Sequence, residues 1–421
     1  MKLSNGILAV ASSISLVTVA ATAQAAPAPT PVTFWYGLGG QQAADVEHLI
    51  HEFNRTHPTI HVKGYFAGSY GANGPEQQKL LASIAAGKVP TVVQLEIHAT
   101  CSFAAGGALM KLNSWMASSP HDKSSDFIPG LMVNTGCGKA TYGVPFNRSV
   151  PILYYNRAMF AKAHIAGPPK TWEQLAADAR KLTRKGVVGF EPVNQWWFFE
   201  AMDWSAGGQI LNPAMTKATF ANAAGARGMA LWVKMVKEHI AYVHSGPNDF
   251  LETIQDFLNQ KTAMYFGSAA DMAFDDTAKF SWGAAYTPTF AGHRLAVPTG
   301  GANAVIMAKA PLAQRKAAWT FVQWWTAAPQ TIWWSEKTGY LPVLTAALHS
   351  SAMKAFFKKN PNHAVPVYEL AYAREAPPSP HYYQVLQDIQ NAQDDIMDFS
   401  QTPQAALAKA ATQADQALTG Q

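Results

Sequence analysis

VTFWYGLGG (residues 32–40) is an apolar run ending in a glycine-rich turn, and QQAADVEHLIHEFNRTHP (41–58) follows it with Val46, Leu49, Ile50 and Phe53 at helical spacing. IHVKGYF (60–66) then alternates as a strand. Strand, helix and strand in that order predict a βαβ start and an α/β lobe on a parallel sheet. The unit recurs, since QQKLLASIAAGKVP (77–90) reads as a helix stopped by Gly87 and Pro90, and TVVQLEI (91–97) as another short strand. Ligands of α/β folds bind beyond the carboxyl ends of such strands, which puts Tyr36, Tyr70 and Glu96 where a cleft would lie.

Further along, YGVPFNRSVPILYYNRAMFAKA (142–163) is an extended segment punctuated by prolines, suited to crossing between two lobes. KTWEQL (170–175) opens a helix with Thr171 as N-cap and Gln174 completing a capping box. PTGGANAVIM (298–307) is a glycine-rich turn entering an apolar strand, and Trp324, Trp325, Trp333 and Trp334 read as core packing. No repeat of 20 to 50 residues is present.

The chain has 421 residues and a formal charge of +5, which loss of Lys2 with a leader peptide would take to +4. That leader is expected over residues 1–25: one Lys, an apolar run from Ile7 to about Ala20, and Ala23-Gln24-Ala25 as the cleavage site. The first cysteine is Cys101, so no lipid-bearing cysteine stands at the cleavage site, and a free protein of the periplasm is expected. The remainder suffices for two or three cores. Cys101 and Cys137 could pair in an oxidising compartment or stay as two separate buried thiols. No run of like charge and no basic patch supports nucleic-acid binding.

Signatures of catalysis are missing. Ala67-Gly68-Ser69-Tyr70-Gly71 misses the nucleophile elbow by one place, and there is no P-loop, dinucleotide fingerprint or Cys-x-x-Cys. His48, His51, His57 and His61 lack metal-site spacing and read as a solvated face, so neither metal nor cofactor is expected. What remains suits a polar small molecule. Tyr and Trp cover the C–H face of a polyol, Glu accepts from hydroxyls, and Ser with Gly N–H groups receives phosphate oxygens.

VPFNRSVPILYYNRAMFAKAHI, KTWEQL, KTAMYFGSAA, PTGGANAVIM and KTGYLPV together resemble the periplasmic sn-glycerol-3-phosphate-binding proteins of ABC importers, within the family 1 extracellular solute-binding proteins. The likeness spans nearly the whole chain beyond the leader, and PFN-x-S-x-P-x-LYYN followed by TGYLPV is its specific part. It implies a two-lobe α/β fold of type II with three crossings between lobes, closing on the ligand. The lobes would be residues 26–145 plus 300–345 and residues 146–299 plus 346–421. It also implies a ligand held by Tyr70, Glu96, Ser149, Trp172, Ser268, Gly301 and Tyr340. Glu96 and Trp172 would hold the glycerol end; Ser149, Ser268 and Gly301 would address the phosphate. The implied partners are a polyol or phosphate-ester ligand and a membrane permease, with the protein itself a monomer.

The resemblance breaks at one place. The family carries a late arginine for the phosphate, and the matching stretch PHYYQVLQDIQNAQDD (380–395) has no Arg or Lys. A guanidinium fork is the natural partner of a phosphate dianion, so either Arg148 or Arg374 replaces it, or the ligand is a glycerophosphodiester or a neutral sugar. Outside transport, a secreted hydrolase would need two carboxylates, and Glu96 with Asp271 is the pair to consider.

Overall fold

The computed structural model describes Met1 and residues 28–70, 74–246 and 248–419. Apart from Met1, the expected leader lies outside the described residues. No helix among the described residues is long and apolar enough to cross a membrane.

In chain order the strands are β1 (Thr30–Tyr36), β2 (Ile60–Phe66), β3 (Val92–Glu96), β4 (Gly136–Cys137), β5 (Ala140–Thr141), β6 (Gly143–Ser149) and β7 (Pro151–Asn156). After these come β8 (Glu191–Pro192), β9 (Met264–Ser268), β10 (Trp282–Ala285), β11 (Val297–Pro298), β12 (Gly300–Ile306) and β13 (Ala373–Arg374). Two sheets organise the molecule, one ordered β2-β1-β3-β12-β6 and the other β10-β7-β9-β8.

The opening unit folds as its periodicity predicts. β1 pairs parallel with β2 along its length, and the helix Gly40–Thr56 between them buries Val46, Leu49, Ile50 and Phe53. The sheet is parallel only across β2, β1 and β3, because β12 returns from the second sheet and enters antiparallel to both β3 and β6. β6 stays in this sheet through Ser149, four residues beyond the expected lobe boundary at 145/146.

Two large cores fill the molecule, and the first reaches both sheets, since it takes in Tyr154 of β7 and Tyr265 of β9 as well as Phe34 of β1. Phe34, Phe146, Phe321, Trp325 and Trp334 fill one, under the helix Leu312–Thr326, and Trp172, Phe198, Trp232 and Phe266 fill the other. Of the four late tryptophans only Trp325 and Trp334 are fully buried; Trp324 and Trp333 are half-buried. His48, His51 and His61 are exposed, as a solvated face requires, while His57 stacks on Phe53. Cys101 and Cys137 form a disulfide with 4.6 Å between their Cα atoms, tying the helix Thr100–Ala105 to β4. Of the two readings open in the sequence, the bonded one is the structure's.

Candidate functional site

The carboxyl ends of the first sheet carry a continuous polar chain. Gly37 N–H, just after β1, donates to Gln94 Oε1 at 2.9 Å; Gln94 Nε2 donates to Asn147 Oδ1 at 2.9 Å; and Asn147 Nδ2 donates to the Tyr70 hydroxyl at 3.1 Å. That hydroxyl lies 3.0 Å from the hydroxyl of Tyr340, whose ring stacks on Trp334. Tyr70 and Tyr340 are therefore neighbours although 270 positions separate them. Burial raises both phenols, Tyr340 to about 12, so both are neutral hydroxyls that can donate or accept.

Glu96 ends β3 opposite Ala302 and caps the short helix beyond it, its Oε2 accepting from the N–H groups of His98 at 2.8 Å and Ala99 at 3.2 Å. Its Oε1 meets His98 Nδ1 at 2.7 Å. Ser149 closes β6 opposite Gly300. Gly301 has φ +93°, and a Cβ there would stand 1.8 Å from the carbonyl oxygen of Asn147, so glycine is obligatory. Ser268 closes β9 opposite Pro151, its N–H bonded to Asp271 Oδ2 at 2.8 Å. A Cβ on Gly339 would stand 2.5 Å from the Ala269 carbonyl oxygen, so the loop leading to Tyr340 rides on the end of the second sheet. Tyr70, Glu96, Ser149, Ser268, Gly301 and Tyr340 thus occupy strand ends and loops at the junction of the two sheets.

Three expectations need correction. Trp172 is wholly buried against Phe190, Trp232, Phe266 and Phe290, with Nε1 donating to Ser205 Oγ at 3.2 Å. Neither face is left for a ligand, and exposing the ring would forfeit about 3 to 5 kcal/mol of burial. Arg148 is buried in the first lobe and spends all five N–H groups there, on Gly300 O, Leu131 O, Asn303 Oδ1, Val133 O and Thr299 Oγ1. It has no donor left for a phosphate. Tyr36 ends β1, but its hydroxyl donates to Glu47 on the adjacent helix at 2.8 Å, away from the strand ends.

The second lobe adds Trp196, Trp197 and Glu200, which the sequence expectations did not include, and Arg374, which they offered in place of the late arginine. Trp196 begins the helix Trp196–Ser205 just beyond β8, and its ring meets His98 edge to face at 5.0 Å. Trp197 Nε1 donates to Thr299 O at 3.3 Å, and its ring fills the space where a Cβ of Gly300 would go. Glu200, one turn further along, accepts from the Tyr382 hydroxyl and sets Oε2 3.9 Å from His98 Nε2 across the junction. Arg374 in β13 lies over the Trp204 ring at 4.8 Å. A Trp-Trp pair opening a helix directly after a strand, with acids at positions 200 and 203, was the available signal.

Several buried atoms here have no hydrogen-bond partner among the described residues: His98 Nε2, Glu200 Oε2 and both oxygens of Asp203. Such groups are costly unless something satisfies them. Burial raises Glu200, opposed by His98 and Tyr382, and pushes Asp203 up to about 8 against the pull of Arg374. Burial alone would favour neutral His98, but the Glu96 and Glu200 carboxylates outweigh it and the net shift is upward. Asp271 is also raised by burial and accepts from the Ser268 N–H in the turn after β9.

The raised carboxyls fix the direction of a pH effect. Asp203 and Glu369 sit at about 8 and Asp249 at about 6. Each keeps its proton in the folded chain at a pH where the unfolded chain has lost it. Their stabilisation is complete below about pH 4 and falls as pH rises toward 8, and His98, also raised, acts with the same sign. The melting temperature is expected to be higher at pH 5 than at pH 8, with a shallower slope in Asp203→Asn; a rise between those pH values would contradict this.

Comparison with known proteins agrees with this architecture. The family model described as bacterial extracellular solute-binding protein matches residues 48–365. The sn-glycerol-3-phosphate-binding periplasmic protein UgpB of Pectobacterium atrosepticum is 28% identical, covering 83% of this chain and 81% of its own. That of Yersinia enterocolitica is 27% identical, covering 96% of each. Among solved structures, UgpB from Mycobacterium tuberculosis in complex with glycerophosphocholine superposes with a TM-score of 0.83 at 24% identity, over 93% of this chain and 98% of that one. The GacH receptor of Streptomyces glaucescens gives 0.82 at 21% identity, over 93% and 99%. These likenesses show a mixed α/β fold of two domains like that of periplasmic binding proteins. With the family model covering most of its length, the chain belongs to the bacterial extracellular solute-binding proteins.

Proposed function

We propose that this chain is the substrate-binding component of an ABC importer in the periplasm. It would act as a monomer that captures a glycerophosphodiester such as glycerophosphocholine, or glycerol-3-phosphate, and hands it to the permease. Its role is binding without turnover. The observation that carries this reading is the convergence of Tyr70, Glu96, Ser149, Ser268, Gly301 and Tyr340 on one junction between two sheets, in a chain whose relatives are sn-glycerol-3-phosphate-binding proteins.

Charge favours the diester. Arg148 is spent inside the first lobe, while Glu96 and Glu200 flank His98 at the junction, which is unfavourable for a phosphate dianion. A diester carries one negative charge, within reach of serine hydroxyls and backbone N–H groups. A quaternary ammonium end would be welcome beside Trp196, Trp197 and the acids, since such cations are held over aromatic faces. The lobes are read as residues 28–149 plus 300–345 and residues 150–299 plus 346–419. The type II assignment with three crossings is supported by β12 standing between β3 and β6. Binding would draw the lobes together, and the closed form would dock on the permease.

Calorimetric titration of ligand-stripped protein with glycerophosphocholine, glycerol-3-phosphate and maltose tests the reading. Glycerophosphocholine is expected to bind with a dissociation constant near 1 μM, about −8 kcal/mol, and glycerol-3-phosphate at least about tenfold more weakly. Tight binding of maltose alone would replace this ligand assignment with a sugar.

A further inference from the structure

Away from the junction, the second lobe gathers ligating side chains that solute binding does not use. Glu191 on β8, His244 in the loop after Ala241 and Asp256 on the helix Asp249–Leu258 each place one donor atom within 4.8 Å of the others. His244 Nε2 stands 3.2 Å from Asp256 Oδ2 and 3.6 Å from Glu191 Oε2. Two ligand atoms on a tetrahedral ion, each about 2.0 to 2.1 Å from it, lie about 3.3 Å apart, so these spacings are close to those of a formed site.

Two further features point to a ligand. The Glu191 side chain is 2% exposed, and its Oε2 has no hydrogen-bond partner among the described residues although it faces the imidazole. A buried carboxylate oxygen left in this way is costly. The second imidazole nitrogen, Nδ1, lies 3.3 Å from Glu252 Oε2, one helical turn before Asp256. A carboxylate on the far nitrogen is the arrangement that orients a metal-binding histidine and leaves Nε2 to coordinate.

Charge and access are compatible with a cation. Three carboxylates, Glu191, Glu252 and Asp256, face His244, and the exposed Lys261 donates from Nζ to Asp256 Oδ1 at 2.9 Å, leaving Oδ2 to the cluster. Glu191 and Asp256 line a solvent-connected cavity of about 290 Å³, with Arg184 and His239 on its wall. We propose that Glu191, His244 and Asp256 form a binding site for a divalent transition-metal ion, with zinc as the best-matched chemistry, and that Glu252 is its positioning residue. One imidazole nitrogen with two carboxylate oxygens suits zinc better than calcium or magnesium, which take oxygen alone. The ion would clamp β8, the loop around His244 and the helix Asp249–Leu258 together.

The test is calorimetric titration of chelator-treated protein with zinc chloride, alongside melting curves with and without zinc. One zinc per chain is expected at a dissociation constant of about 10 μM or tighter, with a higher melting temperature. His244→Gln and Glu191→Gln should each weaken zinc binding at least about tenfold, and Glu252→Gln by about tenfold. Solute binding, measured on the same samples, reports that each variant is folded. Absence of stoichiometric zinc binding would overturn the proposal, as would undiminished binding in His244→Gln, which would place the ion on other histidines.

Discussion

Replacing Arg148 with alanine is expected to cost the folded state about 3 to 5 kcal/mol, the scale for removing one partner from a buried charged network. The cause lies in what the guanidinium holds. It ties Leu131 O and Val133 O, in the segment leading to β4, to Thr299, Gly300 and Asn303 at the start of β12. Alanine would leave three carbonyl oxygens and two side-chain acceptors without these donors, in a place water does not reach. The measurement is a thermal melt, expected to drop by roughly 10 °C at about 2 to 4 °C per kcal/mol. Arg148→Lys should recover only part of this, because one ammonium has three donors and no planar fork. If Arg148→Ala instead melted like the parent and lost only solute affinity, the arginine would be a ligand group and the hydrogen-bond account would fail.

Gly301→Ala should be nearly as damaging, for a reason of space rather than charge. At φ +93° an L side chain is strained, and its Cβ would stand 1.8 Å from Asn147 O and 3.2 Å from the Cα of Arg148. The register in which Gly301 faces Arg148 and Gly300 faces Ser149 must then open. Asn147 is the link between Gln94 and Tyr70, so the shift also disorders the polar chain that reaches Tyr340. The expected result is a loss of at least about 2 kcal/mol in stability and at least about a hundredfold in affinity for glycerophosphocholine, read by melting and calorimetry. Retention of parental affinity would show that β12 is not part of the site. Together the two substitutions separate support from contact, since the arginine should fail first in the melt and the glycine in both measurements.

The early strands and the helix between them were legible because they rest on local periodicity, while the two-lobe fold came from the family resemblance. Val46, Leu49, Ile50 and Phe53 face the core as their spacing requires, and Thr171 caps its helix by accepting from Gln174 N–H at 3.1 Å. The reciprocal bond of that capping box goes to Lys170 N–H rather than to Thr171, a shift of one residue that spacing alone does not reveal. Glu96 was also accessible as a candidate, because it stands at a strand end followed by a turn, where α/β folds place polar ligand groups, whereas Ser149 and Ser268 entered only through the family resemblance.

The roles of Trp172 and Arg148 were not legible, because burial is a property of partners distant in sequence. Trp172 opens a helix after a good cap, which locally resembles an exposed site, yet Phe190, Trp232, Phe266 and Phe290 close over it. The junction residues Trp196, Trp197 and Glu200 sit in a helix buried on every side, so no polar face marked them out. The far side of His98 meets Trp196 and Glu200, about a hundred positions away, which no local window shows.

By itself, then, the amino-acid sequence determined what short-range physics can encode: alternating strands and helices, the caps and turns at their ends, and the family to which their order belongs. Tertiary structure alone decided which cation is spent on the fold, which tryptophan meets the junction, that Cys101 meets Cys137, and that Glu191, His244 and Asp256 come together. The reason is physical. Desolvation, pairing of buried charge and steric exclusion act between groups brought together by chain return, and no local window of sequence contains both partners.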